Sequence, residues 1–251
     1  MKLSTLASAL ALALGIAAVP AHALTTVDLE LALLIDVSGS VDTTEFNLQK
    51  QGYVNAFQDA TIQASIASGH SLAVTVVYWS GAAEQQQAVG WTLVNSVASA
   101  NSFASLIGAT VRPFSGSTGV GSALNFITPQ FATNNFAGTR KVIDVSGDGA
   151  ENVGANTAAA RNAALAAGVD QINGLPILGE VGLEAWYNAN VKGGAGAFVL
   201  AADSFADFDA AIKQKIGREI VGNVPEPSTY ALMGLGLGVM GYLARRRKVI
   251  G

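Results

Sequence analysis

The apolar and polar positions divide the chain into alternating strand-like and helix-like runs. From Val27 the sequence first alternates, with Asp28 and Glu30 on one face, and then turns apolar on both faces from Leu31 to Ile35. Such a run reads as a strand entering a sheet covered on both sides. Ser71 to Trp79, Lys141 to Val145, Gln171 to Leu178 and Ala197 to Ala201 are further apolar strand candidates. Ala88 to Val94, preceded by Glu84 and three glutamines, reads as an edge strand. Between them the spacing predicts helices over Thr43 to Ala60, Ser96 to Ile107, Val120 to Phe131, Ala155 to Ala167 and Ser204 to Val221. The last carries Phe205, Phe208, Ile212, Ile216 and Ile220 at helical spacing, with Asp203 as its expected cap. This alternation predicts an α/β fold, a doubly wound, mostly parallel sheet with helices on both faces. The glycine stretches at 114–121 and 192–196 read as loops within one domain. In such sheets ligands bind beyond the carboxyl ends of the strands.

The two ends follow a different pattern. Lys2, the apolar stretch Leu6 to Ala18 and the small-x-small ending of Pro20-Ala21-His22-Ala23 predict a signal peptide over residues 1–23. The alternative, a membrane-anchored first helix, meets an apolar run that is short for a span. At the other end, Val224-Pro225-Glu226-Pro227-Ser228 breaks any helix, Thr229 to Ala244 is apolar and dotted with glycine, and Arg245-Arg246-Arg247-Lys248 follows. The apolar run is at the short end of what spans a bilayer, and the basic cluster would keep its end in the cytoplasm. This order resembles the PEP-CTERM sorting signal, here residues 223–251. The resemblance implies a Gram-negative exported protein. It would be made by signal peptidase cleavage, held at the inner membrane by the C-terminal helix, cut by an exosortase near Pro225-Glu226-Pro227, and passed to the cell surface or matrix. A plain tail anchor is the alternative.

Composition narrows what the domain between them, residues 24–222, does. Half of the 251 residues are apolar and 13% are charged, which excludes a mainly disordered chain. Cysteine is absent, so disulfide scaffolds and thiolate metal sites are excluded. Five of the 14 basic residues and one of the 18 acidic residues lie in the ends, leaving the domain a net charge of about −8. An acidic domain is a poor nucleic-acid binder.

Three loops at strand ends carry the candidate chemistry. The first strand runs into Asp36-Val37-Ser38-Gly39-Ser40, where residues two apart in a tight loop offer one carboxylate and two hydroxyls. The fourth ends in Val145-Ser146-Gly147-Asp148-Gly149. Between them, Ser115-Gly116-Ser117-Thr118-Gly119 precedes a helix and offers the Thr118 hydroxyl. Hard oxygen donors without sulfur or imidazole suit Mg²⁺ first, then Mn²⁺ or Ca²⁺. If the carboxylates act through water, neutral hydroxyls hold the ion directly. The ion then stays electrophilic, with a position open to a carboxylate from another molecule. Each element alone also reads as local structure: Asp36-x-Ser-x-Ser or Thr118 as helix caps, Asp148 as an Asx turn.

Asp36-x-Ser38-x-Ser40, Thr118 and Asp148, in that order, resemble the metal-ion-dependent adhesion site of von Willebrand factor type A domains. The resemblance covers roughly residues 27 to 221 and implies a Rossmann-like fold with the ion at the sheet top. Ser38, Ser40 and Thr118 would be ligands, and Asp36 and Asp148 would hold metal-bound water or bind directly. The family commonly has Thr-Asp-Gly at the last element, whereas here Ser146-Gly147 precedes Asp148-Gly149. Gly168 to Ile177 and Asp203 to Ile220 resemble an uncharacterised bacterial subfamily of these domains. The implied function is exported, non-enzymatic adhesion to an acidic group on a protein or extracellular polysaccharide.

The enzyme alternative is a haloacid-dehalogenase-like, Mg²⁺-dependent phosphatase. Asp36-Val37-Ser38-Gly39-Ser40 is similar to that family's Asp-x-Asp-Gly-Thr loop, with Asp36 as nucleophile, and Gly147-Asp148-Gly149-Ala150-Glu151-Asn152 to its Gly-Asp-Gly-x-x-Asn-Asp loop. Lys141 or Ser80 would complete it. Ser38 replaces the general acid-base, and Val153 the final acid. A serine hydrolase lacks its nucleophile elbow, and His70, the sole histidine after export, reads as a turn residue. Asp144 is expected to face a neighbouring element. Tyr78, Trp79 and Trp91 read as core, Trp186 and Tyr187 as core or as a rim of the metal face, Glu180 as an outer-ligand candidate, and Arg112 as a solvated loop charge.

Overall fold

The computed structural model describes residues 23–222. The expected signal peptide, but for Ala23, and the expected sorting tail with its apolar run lie outside the described residues. Strands β1 (Thr25–Asp36), β2 (Leu72–Trp79), β3 (Gln85–Val94), β4 (Phe136–Gly147), β5 (Gln171–Pro176) and β6 (Gly193–Gly194) form one sheet in the order β3-β2-β1-β4-β5-β6. β1, β2, β4 and β5 are mutually parallel, and β3 and β6 pair antiparallel at the edges. The order reverses at β1, whose neighbours are β2 and β4, so the crevice beyond the ends of β1 and β4 is the topological switch point.

Side-chain alternation along the central strands builds two cores. Leu29, Leu31, Leu33 and Ile35 face α1 (Thr43–Gln58), α2 (Ala60–Ala67), α3 (Val97–Gly108) and α7 (Phe208–Val221). Ala32 and Leu34 face α4 (Val120–Ile127), α5 (Thr157–Ala166) and α6 (Leu183–Asn190) on the other side. Tyr78 and Trp79 are buried and Trp91 packs edge-on against Phe131, so all three belong to the cores as expected.

Several boundaries differ from the sequence reading for identifiable reasons. The helix expected over Thr43 to Ala60 stops at Gln58, because the Asp59 carboxylate accepts the amides of Thr61 and Ile62 and starts α2. The helix expected to reach Phe131 ends at Ile127, and a 3₁₀ turn begins at Thr128 with Pro129 in its first turn. The expected strand at 197–201 makes only isolated parallel bridges to β5, Gly174 with Val199 and Ile177 with Ala202, while the Phe198 amide bonds to the Asn173 side chain. The last helix starts at Phe208, and Asp207, not Asp203, is its cap residue. Helix α6 has no counterpart among the helices expected from sequence.

Asp144 faces α7, as expected for a structural role. Lys215, wholly buried, lies 2.5 Å from Asp144 and 2.7 Å from Glu219, and Glu219 also accepts from the Asn173 amide at 2.8 Å. Burial and the neighbouring Glu219 push the Asp144 carboxyl up, and Lys215 opposes both. Breaking such a pair from one side leaves an uncompensated buried charge, which costs about 3–5 kcal/mol. Lys215→Met is therefore expected to lower the unfolding free energy by about that amount. Adding Asp144→Asn and Glu219→Gln should recover most of it, as read by urea unfolding.

Candidate functional site

β1 delivers Asp36 to the switch point on the α6 face. The carboxylate is wholly buried, and its Oδ1 accepts the Ser38 amide at 2.7 Å. Ser38 Oγ is 3.2 Å from Ser40 Oγ, and the Ser40 hydroxyl donates to Asp148 Oδ1 at 2.7 Å. The loops after β1 and β4 are thus joined directly. Thr118 lines the same cleft as Ser40 and Asp148 and is buried. All five residues from the sequence reading meet at this end of the sheet.

The helix-cap alternatives find other residues in those roles. The cap of α1 is Asp42, whose Oδ1 accepts the Thr44 and Glu45 amides, while Glu45 accepts the Asp42 amide in a capping box. Gly119 occupies the cap position of α4, with no side-chain cap bond. The hydroxyls of Ser38, Ser40 and Thr118 are therefore not used as helix caps.

Residues outside the motif hold the loops together. Arg112, expected to be a solvated charge, is half-buried. Its guanidinium donates to the Val37 and Ser38 carbonyls at 3.1 and 2.6 Å, clamping the Asp36 loop from below. Gln49 donates to the Asp36 carbonyl at 3.2 Å. The Gly39 amide bonds to the Gly116 carbonyl at 2.7 Å, and a Cβ on Gly39 would meet the Ser115 and Gly116 carbonyls at 3.1 and 3.3 Å, a tight fit between the two loops. Ser80 accepts the Gly116 amide and donates to the Ser117 carbonyl. Asn152 Oδ1 accepts the Thr118 amide at 2.9 Å, tying the second loop to the third. The roles of Arg112 and Gln49 are not legible in the sequence, because both act on backbone carbonyls of a distant loop.

The site opens into a cleft of about 700 Å³, lined by Ser40, Thr118 and Asp148, by Glu45 and Glu180, and by Leu48, Leu178 and Phe205 among others. Among the described residues none of the lining side chains is basic. Glu180 is exposed at the cleft edge and accepts the Ala150 amide at 2.9 Å. Trp186 is half-buried and packs edge-on against Tyr187. Tyr187 is wholly buried beneath the cleft rather than on its rim.

The donor set fits a hard divalent cation, with carboxylate and hydroxyl oxygens on three loops braced by backbone bonds. Asp36 Oδ2 is buried and has no hydrogen-bond partner among the described residues, as fits a group awaiting a cation or its water. Among the described residues no group of three or more His, Cys, Asp or Glu forms a metal cluster, at this end of the sheet or elsewhere, so a site here draws on hydroxyls beside its two carboxylates. The phosphatase arrangement fits poorly. Lys141 pairs in register with Glu30, six residues before Asp36 on β1 and so about 20 Å from it. Ser80 is occupied in holding the Gly116–Ser117 backbone.

Electrostatics make Asp36 the sensitive group. Burial raises its carboxyl to about 7, the Ser38 amide opposes this, and the Asp148 charge adds to it. Burial likewise raises Asp148, with Glu45 and Glu180 adding to the shift and the Ser40 hydroxyl opposing it. The unfolded value for an aspartate is about 3.9, so folding favours protonated Asp36. Its stabilising contribution is complete below that value and is lost as pH rises through about 7. In chelator, the melting temperature is expected to fall between pH 5 and 8, and to fall less in Asp36→Asn. Thermal scans across that range check both.

No curated protein matches the chain in sequence. Solved structures match its fold. The mussel byssus proximal thread matrix protein 1 superposes with a TM-score of 0.60 at 16% identity, over 78% of this chain and 48% of that one. A second structure of that protein, described as having a zinc-occupied MIDAS motif, gives 0.58 at 18% identity over 76% and 48%. A von Willebrand factor type A protein from Catenulispora acidiphila gives 0.51 at 16% identity over 78% and 43%. The chain spans about half the length of these proteins or less. At such identities the likeness shows the fold, which is that of the von Willebrand A neighbours, in agreement with the α/β sheet expected from sequence. The PEP-CTERM protein-sorting motif matches residues 223–248. The family described as "Protein of unknown function (DUF1194)" matches residues 26–224, and the chain belongs to that family.

Proposed function

We propose that this protein is an exported binding module that holds a divalent cation at the carboxyl end of its sheet and through it captures a carboxylate on a partner protein. The observation that carries this reading is the convergence of Asp36, Ser38, Ser40, Thr118 and Asp148 at the switch point, with their hydroxyls free of capping duties. Ser38, Ser40 and Thr118 would hold the ion directly, and Asp36 and Asp148 would hold its water or bind it. A bound Mg²⁺, with Mn²⁺ or Ca²⁺ as substitutes, would supply a Lewis-acidic position for an incoming oxygen. The zinc-occupied MIDAS motif of the byssus protein supports a divalent ion on this fold. The reading proposes no catalysis.

The cleft favours a protein over an acidic polysaccharide. Glu45 and Glu180 line it beside Asp148, so a polymer repeating its negative charge would set further carboxylates against them. A single carboxylate flanked by apolar groups suits Leu48, Leu178 and Phe205. The tail motif supports export, with signal peptidase and an exosortase as processing partners and the cell surface or matrix as destination.

Calorimetric titration with Mg²⁺, Mn²⁺ and Ca²⁺ tests the site. Wild type should bind one ion, and Ser38→Ala and Asp148→Ala should each weaken it at least tenfold. Immobilised protein should then retain Glu- or Asp-containing peptides but not polyuronate, and release them in chelator. Binding that ignores chelator would refute the metal-mediated reading.

A further inference from the structure

The departure from Thr-Asp-Gly before Asp148 has a structural counterpart in helix α6. Tyr187 lies wholly buried against the sheet, and two strand glycines make its seat. A Cβ on Gly174 of β5 would lie 2.7 Å from Tyr187 Cδ1. A Cβ on Gly147 of β4 would lie 2.9 Å from the Tyr187 hydroxyl and 2.7 Å from Asp36 Oδ2. Gly174 is paired with Val145, two residues before Gly147, so both glycines open on the face that α6 covers. Ile35 is paired with Ser146, which sets Asp36 beside Gly147 on that face. Glycine inside a strand weakens it, and its presence marks the close approach of another group.

The Tyr187 hydroxyl and Asp36 Oδ2 therefore converge on the space that a side chain at position 147 would fill. They are no farther apart than one bridging water spans. Both are buried, and neither has a hydrogen-bond partner among the described residues. Asp36 Oδ1 is already engaged by the Ser38 amide, so Oδ2 is the oxygen left to orient.

We infer that Tyr187 is the positioning residue of the metal site: its hydroxyl donates to Asp36 Oδ2 through one bridging water and fixes the carboxylate in the orientation that serves the cation. This rests on the metal-binding reading above. A partner of this kind restrains the rotation of the carboxylate, and losing one typically weakens metal binding 10–100-fold (roughly). Tyr187→Phe keeps the ring in its glycine seat and removes only the donor.

The test uses the full-length chain and Mn²⁺ alone as probe. Tyr187→Phe should retain the wild-type circular dichroism spectrum and bind Mn²⁺ at least about tenfold more weakly. Trp186→Phe, which alters the neighbouring ring, should bind as wild type does. A double-mutant cycle of Tyr187→Phe and Asp36→Asn, read by denaturant unfolding in chelator, should be non-additive. If wild type and Tyr187→Phe bind Mn²⁺ equally, or if the cycle is additive, the positioning role is overturned while the metal site stands. If wild type binds no Mn²⁺, the metal reading fails and the inference fails with it.

Discussion

The Asp36 carboxylate is buried at the end of the central strand, where the strand order reverses, and the surrounding structure is organised to tolerate it. Taking such a group out of water costs several kcal/mol unless it is compensated. The Ser38 amide on Oδ1 compensates part of that cost, while Gln49 and Arg112 hold the backbone carbonyls of Asp36, Val37 and Ser38 in place. None of these satisfies Oδ2, and burial still holds the group near 7. The fold thus keeps a buried carboxyl for which it supplies no cation of its own, unlike a structural ion pair.

The other face of the sheet treats a buried aspartate differently. Asp144, two strand residues before Ser146, is also buried, but Lys215 of α7 meets it at 2.5 Å. There the sheet brings its own cation, and the result is a brace between β4, β5 and the last helix. At Asp36 no such cation is supplied, and the Ser38 and Ser40 hydroxyls of its own loop, Thr118 of a second loop and Asp148 of a third gather instead. The same strand chemistry serves anchorage on one face and proposed binding on the other, because side chains alternate along β1 and β4.

Much of this was legible in the sequence, and the reasons are local. The apolar run Leu31 to Ile35 of β1 and the largely apolar β2 reflect burial on both faces, and the oxygen-bearing loops follow directly from strand ends. What escaped depended on tertiary partners. Arg112 reads as a loop charge until the backbone carbonyls it clamps are in place. Asp59 splits a continuous helical pattern because its side chain competes for the next helix's amides. Gly147 and Gly174 read as loop or strand glycines, and only the packing of α6 shows that both make way for Tyr187. The eight-residue α6 itself is too short for its periodicity to stand out.

The central claim is that these strand-end oxygens form a cation site, and locating the ion tests it most directly. Crystals grown with millimolar Mn²⁺ should give one anomalous difference peak, within direct coordination distance of the Ser38, Ser40 and Thr118 hydroxyls. The Ser40 hydroxyl should keep its link to Asp148. A peak elsewhere, or none while Ser38, Ser40 and Asp148 keep their present hydrogen bonds, would contradict the account.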